Sequence, residues 1–182
     1  MSDTFVLPGA YSPFTPLSHY AGVVAENRGA TVHRHEWSEQ VPDWQVPAIA
    51  DWVRAQVTPL LDSAAGTPLL IGKSIGSNAA ILAAERSLPA VWLTPLLTFP
   101  WIVAALREAT APCLLVGGTA DKMWDGDAAR VLSPHVFEVE HADHSMNVPG
   151  PIVDSIAVLG RAVRAIEEFL ETIHWPNGAA AH

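Results

Sequence analysis

Short continuous apolar runs alternate with longer amphipathic segments along this chain. The first run, Thr4-Phe5-Val6-Leu7, is stopped by Pro8-Gly9. A run of that length bounded by turn formers predicts a buried strand. Leu17 to Arg28 then has helical spacing and ends at Gly29, a C-cap glycine. Thr31 to Trp37 alternates and opens on β-branched residues, which predicts a second strand nearer the sheet edge. Val46, Ile49, Trp52, Val53, Val57, Leu60 and Leu61 repeat at helical spacing, predicting a helix over Val46–Ala64 whose last turn is kinked or shortened by Pro59.

The pattern continues to the end of the chain. Strands are predicted over Leu69–Gly72, Ala90–Thr94, Pro112–Val116 (bounded by Gly117-Gly118) and His135–Glu140. Helices are predicted over Ser77–Ser87, Trp101–Glu108, Asp125–Leu132 and Pro151–Ile173. Continuous apolar strands separated by helices imply a mostly or wholly parallel sheet of about six strands, covered on both faces: a three-layer α/β/α sandwich. No repeat, linker or low-complexity segment divides it, so residues 1–174 read as one domain. The tail 175–182, with Pro, Asn, Gly and Ala, reads as disordered. In such sheets ligands bind at the carboxyl ends of the strands, so the strand-end loops are the places to search for chemistry.

Composition narrows the class. The chain has 182 residues, 49% of them hydrophobic and 16% charged, which excludes a disordered polymer and supplies a full core. A net charge of −9 repels nucleic acid and anionic membranes. No apolar run is long enough to span a bilayer, and no signal pattern opens the chain. Cys113, the single cysteine, has no internal disulfide partner and fits a reducing compartment. A cytoplasmic protein is the expectation.

The third apolar run ends on Gly72-Lys73-Ser74-Ile75-Gly76, and an Ala-rich helical segment follows at once. Strand, G-x-S-x-G, helix is the layout of a nucleophile elbow, in which small neighbours let strand and helix approach and leave the serine hydroxyl at the tip. Gly72-Lys73-Ser74 is also the tail of a phosphate-binding loop. There, however, the first glycine would fall at Thr67, and the cradle would be the buried strand Pro68-Leu69-Leu70-Ile71. The elbow is the better reading.

Two further strand-end loops carry partners for Ser74. Asp121 follows the fifth strand, with Asp125 and Asp127 as rivals that also fit a helix N-terminus. His144 follows the sixth, with His141 as rival. A serine hydroxyl needs a neutral imidazole to take its proton, and the imidazole needs a carboxylate to fix its tautomer. The order Ser, Asp, His is one of the known triad orders. Two backbone amides must also face the oxyanion. Ile75, directly after the serine, supplies one; Ala10, in the loop after the first strand, supplies the other, with Tyr11 second.

On these residues the chain resembles the α/β-hydrolase superfamily from Phe5 to about Ile173. The matching pieces are Leu7-Pro8-Gly9-Ala10, the elbow, Gly118-Thr119-Ala120-Asp121, and Ala142-Asp143-His144-Ser145. It is most similar to the small lidless branch around the dienelactone hydrolases. The resemblance implies a minimal fold without the first antiparallel hairpin or a cap domain, and favours His144 over His141. Two features depart from the family pattern: Pro8-Gly9 replaces a His-Gly turn, and Lys73 stands where an aromatic, histidine or arginine is usual.

The expected activity is that of a serine hydrolase cleaving a carboxylic ester or small acyl substrate through an acyl-enzyme, with no metal and no organic cofactor. Acyl transfer or thioester cleavage by the same residues, and a hydrolase-fold binding or scaffold protein with little turnover, are the rival readings. Tyr11, Lys73 and Trp124 are candidate pocket residues. Lys73 is either a solvated side chain or a bias toward acidic substrates, and Trp124 is equally readable as plain packing. His33 and His35, two apart on a strand, read as a solvated edge rather than a metal pair, and Cys113 as an inert buried thiol.

Overall fold

The computed structural model describes residues 2–11 and 15–176. Six strands form one sheet: β1 (Asp3–Leu7), β2 (Thr31–Arg34), β3 (Leu69–Lys73), β4 (Ala90–Leu93), β5 (Cys113–Gly118) and β6 (His135–Val139). Their order is β2-β1-β3-β4-β5-β6, and every pair is parallel. The helices between them are α1 (Pro16–Asn27), α2 (Ala48–Asp62), α3 (Ala80–Arg86), α4 (Pro100–Glu108), α5 (Gly126–Leu132) and α6 (Ile152–Thr172).

Alternate residues of each strand feed two separate cores, which is why the strands read as unbroken apolar runs. Phe5, Leu7, Leu70, Trp92 and Leu115 face α2, α3, α4 and α5. Val6, Leu69, Ile71, Val91, Leu93, Leu114 and Val116 face α1 and α6. The chain runs from β1 outward to β2, then returns to build the remaining strands on the other side of β1. The order therefore reverses between β1 and β3, where two successive crossovers diverge and open a crevice at the strand ends. The loops carrying Ala10 and Ser74 meet there.

Several expectations need correction. The edge strand β2 stops at Arg34, because His35 and Trp37 turn inward, Trp37 packing on Trp52 at 5.1 Å between rings. Helix α2 spans Ala48–Asp62 rather than Val46–Ala64, with Pro59 inside its last turn. The segment after Ser74 begins as a 3-10 turn over Ser74–Ala79, and α3 starts only at Ala80.

Trp175, which composition assigns to the tail, is packed against the domain. Trp175 is 2% exposed, and its indole donates to the Thr67 carbonyl at 2.9 Å. Arg28 donates to the Trp175 carbonyl at 2.7 Å and to that of Leu170. Residues 177–182 of that tail, and Ser12 and Pro13 of the loop after β1, lie outside the described residues. Among the described residues, no helix is long and apolar enough to cross a membrane.

Candidate active site

Ser74 sits where β3 breaks into the 3-10 turn, with φ at +52°. A non-glycine residue in the left-handed region costs about 1–3 kcal/mol, so the surroundings must hold it there. Close packing does so. A Cβ on Gly76 would lie 2.9 Å from the Leu7 carbonyl oxygen, and one on Gly72 would lie 2.6 Å from the Trp92 ring. Only glycine allows this approach of strand to turn.

Polar side chains just beyond the elbow hold it further. The Ser77 hydroxyl donates to the Ser74 carbonyl at 2.6 Å and accepts from the Leu96 N–H. The Asn78 amide donates to the Ile75 carbonyl at 2.8 Å and accepts from the Trp101 indole. Sequence reasoning missed both residues, although two buried polar side chains in an Ala-rich segment were the available signal.

The three loops bring three side chains into one line. His144 Nε2 lies 2.9 Å from Ser74 Oγ, and His144 Nδ1 lies 2.7 Å from Asp121 Oδ2. The Asp121 side chain is 1% exposed, and its other oxygen accepts from the Met123 N–H at 2.9 Å. The imidazole is 38% exposed, so it faces the crevice. With Nδ1 protonated and donating to Asp121, Nε2 is free to accept from the serine hydroxyl.

The rivals are elsewhere. His141 is solvent-facing, its backbone N–H held by Thr119 Oγ1. Asp125 caps α5 by accepting from the Ala128 N–H, and Asp127 pairs with Arg130 at the surface. The His144 turn is shaped by Asp143, whose Oδ1 accepts from the Ser145 and Asn147 N–H groups.

Over Ser74 lies an open cleft of about 200 Å³. Ala10 and Ile75 line it, and Trp44, Leu96 and Met123 form its apolar walls. Ile75 stands in the first turn after the strand, where a backbone N–H has no intrahelical partner and points outward. Tyr11 is at the rim, 90% exposed, with its hydroxyl accepting from the Trp44 indole at 3.4 Å. Trp44, Leu96 and Met123 were not foreseen, since loop positions carry no periodic signal. A larger apolar groove of about 320 Å³ lies beyond Lys73 and Thr15, but neither Ser74 nor His144 reaches it.

Two pocket expectations are corrected. Trp124 does not line the cleft: its ring packs against Gly117 and its indole donates to Glu138 at 2.6 Å, which fixes it in the core. Lys73 borders the cleft, but it is neither solvated nor available to an acidic substrate. It is 6% exposed, and its ammonium donates to Thr94 Oγ1 at 2.5 Å and to the His144 carbonyl at 2.9 Å. Thr94 holds φ at +43°, a costly conformation for a β-branched residue.

Burial pushes the Lys73 amine down from 10.5 to about 8, and the carboxylates of Asp121 and Asp143 oppose that fall. Between pH 8 and 10.5 the unfolded chain therefore binds the proton that the native protein has released, so this amine makes stability rise with pH across that window. The rise is about 3 kcal/mol at 1.36 kcal/mol per unit. Cys113 acts oppositely, since burial raises its thiol from 9.0 to about 11. Referring wild type to Lys73→Met cancels the thiol. Urea unfolding at pH 7 and 10.5 is expected to show wild type gaining about 3 kcal/mol on the variant; a constant difference contradicts the assignment.

His33 lies on β2, and His35 lies just past its end. His33 bonds Asp3 at 3.0 Å and stacks on Phe5, while His35 packs against Trp37. Among the described residues, no three potential ligands cluster.

Comparison with known proteins gives a clear result for the fold. No family model and no curated protein matches the chain. Solved structures do. A protein of the alpha/beta hydrolase superfamily from Xanthomonas campestris pv. campestris superposes with a TM-score of 0.65 at 23% identity, over 94% of this chain and 99% of that one. Est1E from Butyrivibrio proteoclasticus gives 0.70 at 12% identity, over 94% and 88%. Dienelactone hydrolase from Anabaena variabilis gives 0.61 at 18% identity, over 93% and 85%.

The chain has the α/β-hydrolase fold. Within it, Ser74, Asp121 and His144 follow β3, β5 and β6 at the carboxyl edge of the sheet. Lidless proteins share it: an α/β serine hydrolase without lid from Xanthomonas campestris superposes at 0.54, with 17% identity over 92% of this chain and 81% of that one. Here too, β4 passes to α4 through residues 94–99 alone, with no inserted cap.

Proposed function

We propose that this α/β-hydrolase-fold protein is a serine hydrolase that cleaves small carboxylic esters or related acyl compounds. The observation that carries the reading is the continuous line from Ser74 Oγ through the His144 ring to Asp121, at 2.9 and 2.7 Å, on a strained strand–helix turn. Strain of that kind concentrates at functional sites.

The proposed steps follow from the geometry. His144 Nε2 takes the proton of Ser74 as its oxygen bonds to the substrate carbonyl carbon, and the negative charge moves to the carbonyl oxygen, facing the amides of Ile75 and Ala10. Asp121 keeps the ring oriented and stabilises the imidazolium. The imidazolium then protonates the leaving alcohol as the carbon–oxygen bond breaks, leaving an acyl-Ser74 ester. Water, deprotonated by the same nitrogen, attacks that ester; the acyl–oxygen bond breaks to release the acid, and the imidazolium returns its proton to Ser74 Oγ. The chain's own side chains can perform every proton transfer.

The small cleft and missing cap suit short or compact acyl groups. Ferulic acid has been seen bound to Est1E, a fold neighbour, and a compact acid of that kind accords with walls made by Trp44, Leu96 and Met123. A negatively charged protein with one buried cysteine fits a cytoplasmic role on dissolved substrate rather than on nucleic acid or membrane. The test is a p-nitrophenyl ester series. Acetate and butyrate are expected to be turned over with kcat/KM at least tenfold above dodecanoate, since a long chain finds no enclosed tunnel. A preference for dodecanoate would contradict the proposed substrate class.

A further inference from the structure

Lys73 is unusual in both its place and its partners. It closes β3 immediately before the nucleophile, yet its side chain turns under the loop that follows β6. That loop has several ties toward β5. Thr119 Oγ1 accepts from the His141 N–H, the Ala120 N–H donates to the Ala142 carbonyl, and Asp121 bonds the His144 ring. Asp143 fixes the shape of the turn internally.

None of these bonds relates His144 to Ser74. Among the described residues, the loop of residues 140–150 and the nucleophile segment 69–79 share two hydrogen bonds. One is the reacting contact between the His144 ring and Ser74; the other runs from Lys73 Nζ to the His144 carbonyl. The amine is aimed by its second bond, to Thr94 Oγ1, and Thr94 is held in the left-handed region while presenting that oxygen.

We propose that Lys73 is a positioning residue for the base: by gripping the main-chain carbonyl of His144 it fixes how far the imidazole stands from the Ser74 hydroxyl. The inference rests on the serine-hydrolase reading and adds a role to a residue that touches no reacting atom. A lysine suits it because one nitrogen at the end of a four-carbon stem can donate in two directions across the gap between strand ends. An aromatic at this position could fill the space but could not hold the carbonyl. A half-buried carbonyl left without its donor would move toward water, carrying the base with it. Displacements near 1 Å at a reacting pair cost about 100-fold in rate.

The test compares wild type with Lys73→Met, which keeps the stem and removes the donors, and with Lys73→Gln, which keeps a donor on a shorter stem. On p-nitrophenyl acetate, kcat is expected to fall 10- to 100-fold in the Met variant with KM within about twofold, and less in the Gln variant. The second readout needs no turnover. The proton between His144 Nδ1 and Asp121 should give a far-downfield NMR signal, sharp in wild type and broadened or lost in Lys73→Met as the ring becomes mobile. If the Met variant does not fold, the Gln variant carries both comparisons. A kcat within threefold of wild type together with an unchanged proton signal overturns the proposal. If wild type turns over no ester, the hydrolase reading fails, and the proton signal alone decides the positioning role.

Discussion

Ser74→Ala is expected to lower kcat for p-nitrophenyl acetate by about a million-fold, the size of loss seen when a triad nucleophile is removed. Alanine offers no atom that can bond to the carbonyl carbon, so the two-step route closes and only the stabilisation of the oxyanion by backbone amides is left. The fold should survive. The hydroxyl contacts His144 alone among its polar neighbours, and an alanine Cβ fits the space that the serine Cβ fills 3.7 Å from a Cβ built on Gly9. The assay is steady-state hydrolysis beside thermal melting of both proteins. Residual activity above about one per cent, from a folded and homogeneous variant, would move the nucleophile away from Ser74.

Asp121→Asn should lower kcat by about 10⁴-fold. Asparagine keeps the shape and can still accept from the Met123 N–H with its oxygen, so the loop stays in place. Its NH₂ group then faces His144 Nδ1 and donates to it. That forces the ring proton onto Nε2, the nitrogen that must accept from Ser74. The base is present in the wrong tautomer. A kcat within tenfold of wild type would show that the ring is oriented by another group; Asp125 and Asp127 are committed to the α5 cap and to Arg130.

Much of the fold was legible because its signals are local. A buried strand in a two-sided sheet must be apolar at consecutive positions, and Pro8-Gly9, Gly66 and Gly117-Gly118 mark where such runs begin or end. Ser74, Asp121 and His144 could be paired because strand-end loops converge at one sheet edge, so chain order alone restricts which side chains meet.

The misreadings have physical causes. Lys73 keeps the extended backbone of β3, so alternation sets it with Leu69 and Ile71, but the acceptors that hold its amine, Thr94 Oγ1 and the His144 carbonyl, come from two loops distant in sequence. Trp124 and Met123 are consecutive in a loop without periodicity, and a wall of Gly117 and Glu138 decides which of them enters the core. Trp175 sits in a segment whose composition suggests disorder, yet two hydrogen bonds from distant sequence hold it, one from Arg28 to its carbonyl and one from its indole to the Thr67 carbonyl. Composition cannot report partners that are 100 or more residues away.

The central claim is that Ser74 is a nucleophile activated by His144. The most direct test is intact-mass and peptide mapping after treatment with a fluorophosphonate probe, applied to wild type, Ser74→Ala and His144→Ala. The account predicts one adduct per wild-type chain, located on the peptide containing Ser74, none on Ser74→Ala, and labelling of His144→Ala slowed by at least 100-fold. A folded wild-type protein that takes no label, or a His144→Ala variant labelled at the wild-type rate, would contradict it.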